Sequence, residues 1–174
     1  DPDHPVRRSF LVGLKQEALP MILGCDAAGL DPDGNEVVVH AVVSDPSWTG
    51  GDETLDPRRS LLSERHQVTF ADEVVVPAGN VVPKPASLSF EEAACLPTAW
   101  LTAYRMLFVQ GACKPGETVL VQGAGGGVAT ALITLGRAAG LRVLATSRDE
   151  EKRTRALALG AHEVFESGAR LPVR

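Results

Sequence analysis

The pattern of hydrophobic and polar positions changes character about halfway along the chain. From Thr118 on, short apolar runs alternate with amphipathic ones. The spacing predicts a strand over 118–122, a helix over 126–139, a strand over 142–146, a helix over 149–159 and a strand over 163–166. Val128, Leu132, Leu135 and Ala139 share one face of the first helix. Alternation of this kind calls for parallel strands joined by right-handed crossovers. Ser147 and Glu150 have capping-box spacing for the second helix, and Gly160 stands where a C-cap glycine belongs.

The front of the chain is mostly β in pattern. Residues 1–35 are poorly periodic, and Asp31-Pro-Asp-Gly-Asn is a turn by composition. Glu36–Val43 is rich in β-branched residues and predicts a strand, Gln67–Val76 a second, and Asn80–Pro83 a short third. Between them runs a long polar stretch, 44–65, of the kind that is functional or mobile. Ser89 with Glu92 makes a capping box for a short helix. Pro97 opens another, with Leu101, Tyr104, Leu107 and Phe108 on one face.

Composition narrows the function classes. The net charge of -5, with no basic run, argues against nucleic acid as a partner. No apolar segment reaches the roughly 18–20 residues of a membrane helix. The polar start carries no secretory signal, and three scattered cysteines (Cys25, Cys95, Cys113) read as reduced thiols of a cytoplasmic protein. There is no initiator Met, and only one βαβαβ half of a two-half dinucleotide fold is present. The expectation is therefore a fragment, or a truncated chain whose 118–122 strand is an exposed apolar edge.

The chemistry centres on the turn after 118–122. Four glycines (Gly123, Gly125, Gly126, Gly127) fall in five residues between a strand and a helix. Such a turn clears side chains so that backbone N–H groups and a helix N-terminus can meet a pyrophosphate. Gly126 is the expected point of closest approach. The alternative is a glycine turn that only lets the helix pack closely on the strand.

Several segments in order resemble the medium-chain dehydrogenase/reductase superfamily, and in particular its zinc-free, quinone-oxidoreductase-like branch. They are Leu19-Pro-Met-Ile-Leu-Gly-Cys-Asp-Ala-Ala-Gly, Ala71-Asp-Glu-Val-Val-Val-Pro, Phe90-Glu-Glu-Ala-Ala-Cys-Leu-Pro, Leu101-Thr-Ala-Tyr, and Gly123–Ala129, with Ala129 in place of a glycine. Lys152 and Leu159-Gly-Ala continue the series. The resemblance implies an α/β chain: a partial GroES-like, mostly-β catalytic domain at 1–96, then an interdomain helix and the first half of a Rossmann domain at 97–174. It also implies a dimer for the full-length protein, and a cytoplasmic enzyme acting on a small carbonyl, enone or quinone.

Zinc-dependent members of that family use a Gly-His-Glu segment, and the match here is Gly24-Cys25-Asp26. Cysteine and carboxylate are possible ligands, but the third ligand position falls near Thr98, which is not a ligand type. The 44–66 region also has none of the four cysteines of a structural zinc lobe. The expectation is no metal. For the cofactor, the end of the second strand reads Ser147-Arg148, with Lys152 one turn on. A hydroxyl and a guanidinium suit a ribose 2′-phosphate and so NADP(H), whereas Asp149 one residue away could serve NAD. Gly123, Ala124, Gly125, Gly126, Gly127, Val128, Ser147, Arg148 and Lys152 are thus candidate cofactor contacts. Thr102 is placed at the nicotinamide end and Asp26 at the substrate.

The function expected is hydride transfer from NADPH to quinones or enones without zinc. Two alternatives stand beside it: an alcohol dehydrogenase with unusual zinc ligands, and a truncated, non-catalytic nucleotide-binding module.

Overall fold

In the computed structural model the described residues are 20, 22–62, 66 and 69–168. The chain divides into two compact units, Asp1–Pro97 and Thr98–Arg174.

The first unit carries two small antiparallel sheets. β1 (Ala27–Leu30) pairs with β2 (Glu36–Val39) across the Asp31 turn, and β5 (Val81–Pro83) pairs with the other side of β2. The Asp31 carboxylate closes the turn by accepting from the N–H groups of Asp33 and Asn35 at 3.0 and 2.8 Å and from the Asn35 side chain at 2.9 Å. The expected 36–43 strand is broken at His40–Ala41. Its second piece, β3 (Val42–Val43), leaves the first sheet to pair with β4 (Ser60–Leu61). Asn80 occupies the break, donating its amide to the carbonyls of His40 and Val42 at 2.7 and 2.6 Å. Val39, Val43 and Leu62 form this unit's buried cluster.

Of the expected 67–76 strand, Gln67 and Val68 lie outside the described residues, and 69–76 forms no strand, with Phe70 and Val75 largely exposed. Phe70 N–H donates to Leu23 O at 3.0 Å. The short strand at 81–83 does form. α1 (Phe90–Ala94) begins with the Ser89–Glu92 capping box, both of whose bonds are made. Before it, the Lys84 ammonium is bound by Glu36 at 3.0 Å and by the carbonyls of Pro85 and Leu88.

A helical run crosses the boundary into the second unit, and in it widened π turns (Leu96–Trp100 and Arg105–Gln110) flank α2 (Leu101–Tyr104). Of the expected row of four, Leu107 is buried beside Ala103 and Phe108 packs against the same core, whereas Leu101 and Tyr104 are exposed. The widened turns shift the register away from the 3.6-residue spacing on which that row depended. Then follow β6 (Thr118–Val121), α3 (Gly127–Ala138), β7 (Arg142–Thr146), α4 (Glu150–Ala158) and β8 (Glu163–Phe165). The strands are parallel in the order β6-β7-β8, as the alternation predicts. β6 is an edge among the described residues, with Leu120 partly exposed on it.

The core lies between this sheet and α3. Val121, Val143 and Ala145 meet Ala131, Leu132 and Ile133 there. Gly136 makes the approach close, since a Cβ there would stand 3.1 Å from Val143 Cγ2. No helix among the described residues is long and apolar enough to cross a membrane.

Candidate functional site

Parallel strands deliver their C-terminal ends to one edge of the sheet, and ligands bind outside that edge. Here the ends of β6, β7 and β8 enclose a cleft of about 520 Å³. It is lined by Gly123 and Ala124 after β6, by Ser147, Arg148 and Asp149 after β7, by Lys152 of α4 and by Ser167 after β8.

The glycine turn is fixed to β7 by a bond from Ala124 N–H to Thr146 O at 2.8 Å. Gly123 has φ +74° and Gly125 φ +125°, backbone that side-chain-bearing residues rarely adopt. A Cβ on Gly125 would also stand 2.7 Å from Lys152 Cδ, so the lysine stem lies across the turn. Gly126 is the N-cap of α3 and has open space where a Cβ would be, whereas a Cβ on Gly127 would meet Ala99 at 3.2 Å. Gly127 thus permits close packing against the helical run before α2 and not against the strand, and Gly126 faces open space. Val128 and the buried Ala129 belong to the first turn of α3, and the methyl of Ala129 is accommodated there.

α3 has no side-chain cap, unlike α1 and α4, which Ser89 and Asp149 cap. The first N–H groups of a helix have no partner within it. A twelve-residue helix that begins on glycine leaves these donors, and the positive end of its dipole, available to an anion.

The opposite wall corrects one expectation. Ser147 does not cap α4. Its N–H still bonds to Phe165 O across to β8 at 3.1 Å, so the chain has not yet turned away from the sheet. The cap is Asp149, whose Oδ1 accepts from Lys152 N–H at 3.2 Å and whose Oδ2 lies 3.8 Å from Lys152 Nζ. Ser147 is buried, and its hydroxyl accepts from Asp149 N–H at 3.2 Å. Arg148 is exposed, and no ion pair holds it among the described residues.

The cleft therefore brings together Gly123, Ala124, Ser147, Arg148 and Lys152, with Gly125, Gly126, Gly127 and Val128 on the same turn and helix start. Thr102 is exposed on α2 and does not line it. Asp26 belongs to the first unit, where Cys25 Sγ lies 4.0 Å from its Oδ2. Among the described residues no three His, Cys, Asp or Glu side chains gather as metal ligands. Sequence reading missed Ser167 and the backbone bonds that fix the Ser147 wall. The rule that ligands sit beyond the C-terminal ends of parallel strands points to Ser167, two residues past β8.

No protein-family model matches the chain. Human quinone oxidoreductase is 34% identical over 152 residues, which is 87% of this chain and 42% of that protein. A solved NAD-dependent alcohol dehydrogenase is 37% identical with TM-score 0.82, over 90% of this chain and 50% of its own. The quinone oxidoreductase of Thermus thermophilus, solved with and without NADPH, is 36% identical with TM-score 0.63, over 84% of this chain and 41% of its own. The chain spans about a third to two-fifths of the length of curated relatives it matches. Ordered motifs, a parallel α/β unit with a glycine turn, and these likenesses agree: the chain belongs to the medium-chain dehydrogenase/reductase superfamily.

Proposed function

We propose that this chain carries the cofactor-binding part of an NADPH-dependent oxidoreductase that reduces quinones or enones by hydride transfer without zinc. In this reading the first unit is a GroES-like catalytic module and the second the first half of a Rossmann domain. The observation that carries it is the cleft in which the glycine turn leading into the uncapped α3, at Gly123 and Ala124, lies with Ser147, Arg148 and Lys152.

The residues present fit NADP(H). The turn and the α3 N-terminus suit the pyrophosphate, and Gly126 has room for its approach. Ser147 has its oxygen occupied as an acceptor, which leaves its hydroxyl proton to donate to a ribose 2′-phosphate. Arg148 can bind the same phosphate in a fork, with Lys152 as a second cation. Asp149 is the group that would favour NADH, yet it faces α4's own N-terminus and Lys152. Likeness alone does not choose between the two cofactors, because the matched structures include one described as NAD-dependent and one with NADPH.

When bound, the nicotinamide supplies the hydride. The chain's own residues hold the adenosine end, while Thr102 is assigned to the nicotinamide end and Asp26 to orienting substrate. The zinc-free part rests on Thr98 at the third ligand position and on the cysteine-free 44–66 loop. The relatives support a small quinone, enone or carbonyl as substrate, and a dimer is proposed for the full-length protein.

The test is a titration of the intact protein with NADPH and NADH, followed by turnover of quinones, enones and alcohols. NADPH is expected to bind at least about tenfold tighter, the worth of one good charge-assisted contact. Equal binding of the two, or stoichiometric zinc in the purified protein, would overturn the reading.

A further inference from the structure

Ser147 is held at every backbone position, and one of those holds comes from a side chain outside the cleft lining. Its N–H donates to Phe165 O at 3.1 Å, and its carbonyl accepts from Ser167 N–H at 3.3 Å. The same carbonyl accepts from Arg153 Nη1 at 2.8 Å, and this is the shorter of the two contacts. Helical side chains lean toward the helix N-terminus. Arg153, in the first turn and a half of α4, is therefore directed back over the Asp149 cap to the residue where β7 ends.

The geometry points to Arg153 as a positioning residue for cofactor selection, acting through the Ser147 carbonyl. The reason is the planar peptide. Ser147 C=O and Arg148 N–H are the two ends of one trans unit, so a donor that fixes the carbonyl also fixes the direction in which Arg148 leaves the strand. The Ser147 hydroxyl is set by the same backbone. A phosphate contact made by groups already held in place loses less entropy on binding than one made by a freely turning loop. Ser167, which lines the cleft, shares the carbonyl with Arg153, so the walls after β7 and β8 are joined at this one acceptor.

This inference rests on the 2′-phosphate reading of the cleft, and the test separates the two. Wild type, Arg153→Leu and Arg153→Lys of the intact protein are titrated with NADPH, NADH, adenosine 2′,5′-bisphosphate and 5′-AMP. Thermal unfolding of each is recorded alongside. Arg153→Leu is expected to weaken NADPH and the bisphosphate about 5- to 20-fold while NADH and 5′-AMP change less than about twofold, the worth of one contact to a charged group. Arg153→Lys keeps the charge but not the planar fork and should lie between. In turnover, KM for NADPH rises and kcat is unchanged.

A purely structural role predicts equal losses for all four ligands in step with the melting temperature. That result, or no change in any of them, overturns the inference and leaves the phosphate site standing. A wild type that does not distinguish NADPH from NADH removes the site and the inference together.

Discussion

At the scale of single residues, Gly125 and Gly126 are neighbours with separable reasons for being glycine. Gly125 has φ +125° and lies under the Lys152 stem, so its constraint is internal to the fold. Gly126 has an ordinary φ of -90° and open space where a Cβ would be, so nothing among the described residues requires glycine there. Gly125→Ala should destabilise by roughly 1–3 kcal/mol from backbone strain, and should also displace Lys152. Gly126→Ala should change stability by less than about 1 kcal/mol, as N-cap exchanges of this type do. It should nevertheless weaken NADPH, because a methyl would stand where the proposed site places the pyrophosphate. Denaturation curves and cofactor titrations on the two variants check this. Unchanged NADPH binding by Gly126→Ala would show that the phosphates lie elsewhere. The glycine spacing was legible in the sequence because turn geometry is local. The Lys152–Gly125 contact was not, because it depends on how β7 and α4 bring distant residues across the turn.

At the scale of elements, the long polar stretch after β3 is more ordered than its composition suggests. Asp56 is fully buried, and its carboxylate accepts from Asp45 N–H at 2.7 Å and Arg58 N–H at 2.8 Å, tying the two arms of the loop together. Asp45 in turn accepts from the Ser47 hydroxyl at 2.6 Å and the Ser47 N–H at 2.9 Å, with Arg58 at 3.2 Å. Those bonds from Ser47, and then the Arg58 charge, hold the Asp45 carboxyl below its ordinary value. A lowered folded pKa stabilises above the unfolded value and is lost as pH falls through the folded one. The loop should therefore loosen below about pH 4, near the ordinary Asp pKa, and not on the alkaline side. Trp48 lies within it, so in a Trp100→Phe background its fluorescence reports the step, which Asp45→Asn should abolish. An acid transition of equal size in Asp45→Asn would assign the step to other carboxylates.

The same scale shows what sequence periodicity reaches. The β7 bounds and the Ser89 capping box were legible because spacing and local bonds decide them. The 67–76 strand was not, since alternation supplies faces but no pairing partner. The Ser147 box failed because Ser147 N–H is engaged by β8, which no local pattern reveals.

At the scale of the molecule, the two units divide the candidate residues unequally. The cleft and the glycine turn lie in the second unit with Thr102, while Asp26 lies in the first. The groups that line the cleft are suited to the adenosine end of a dinucleotide, and its cations are exposed. Adenosine 2′,5′-bisphosphate should therefore compete with NADPH, whereas nicotinamide mononucleotide at the same concentration should not, since the proposed phosphate contacts sit at the adenosine end. Binding should also be sensitive to salt, because the Debye length falls from about 10 Å at 0.1 M to about 3 Å at 1 M and exposed pairs are screened first. If the extra phosphate of NADPH faces Arg148 and Lys152 as proposed, its affinity should fall more steeply with salt than that of NADH, and the preference should narrow as ionic strength rises. Isothermal titration at several salt concentrations measures both slopes. Parallel slopes would mean that the extra phosphate is not met by cations, and Ser147-Arg148 would then cap and solvate the strand end without selecting the cofactor.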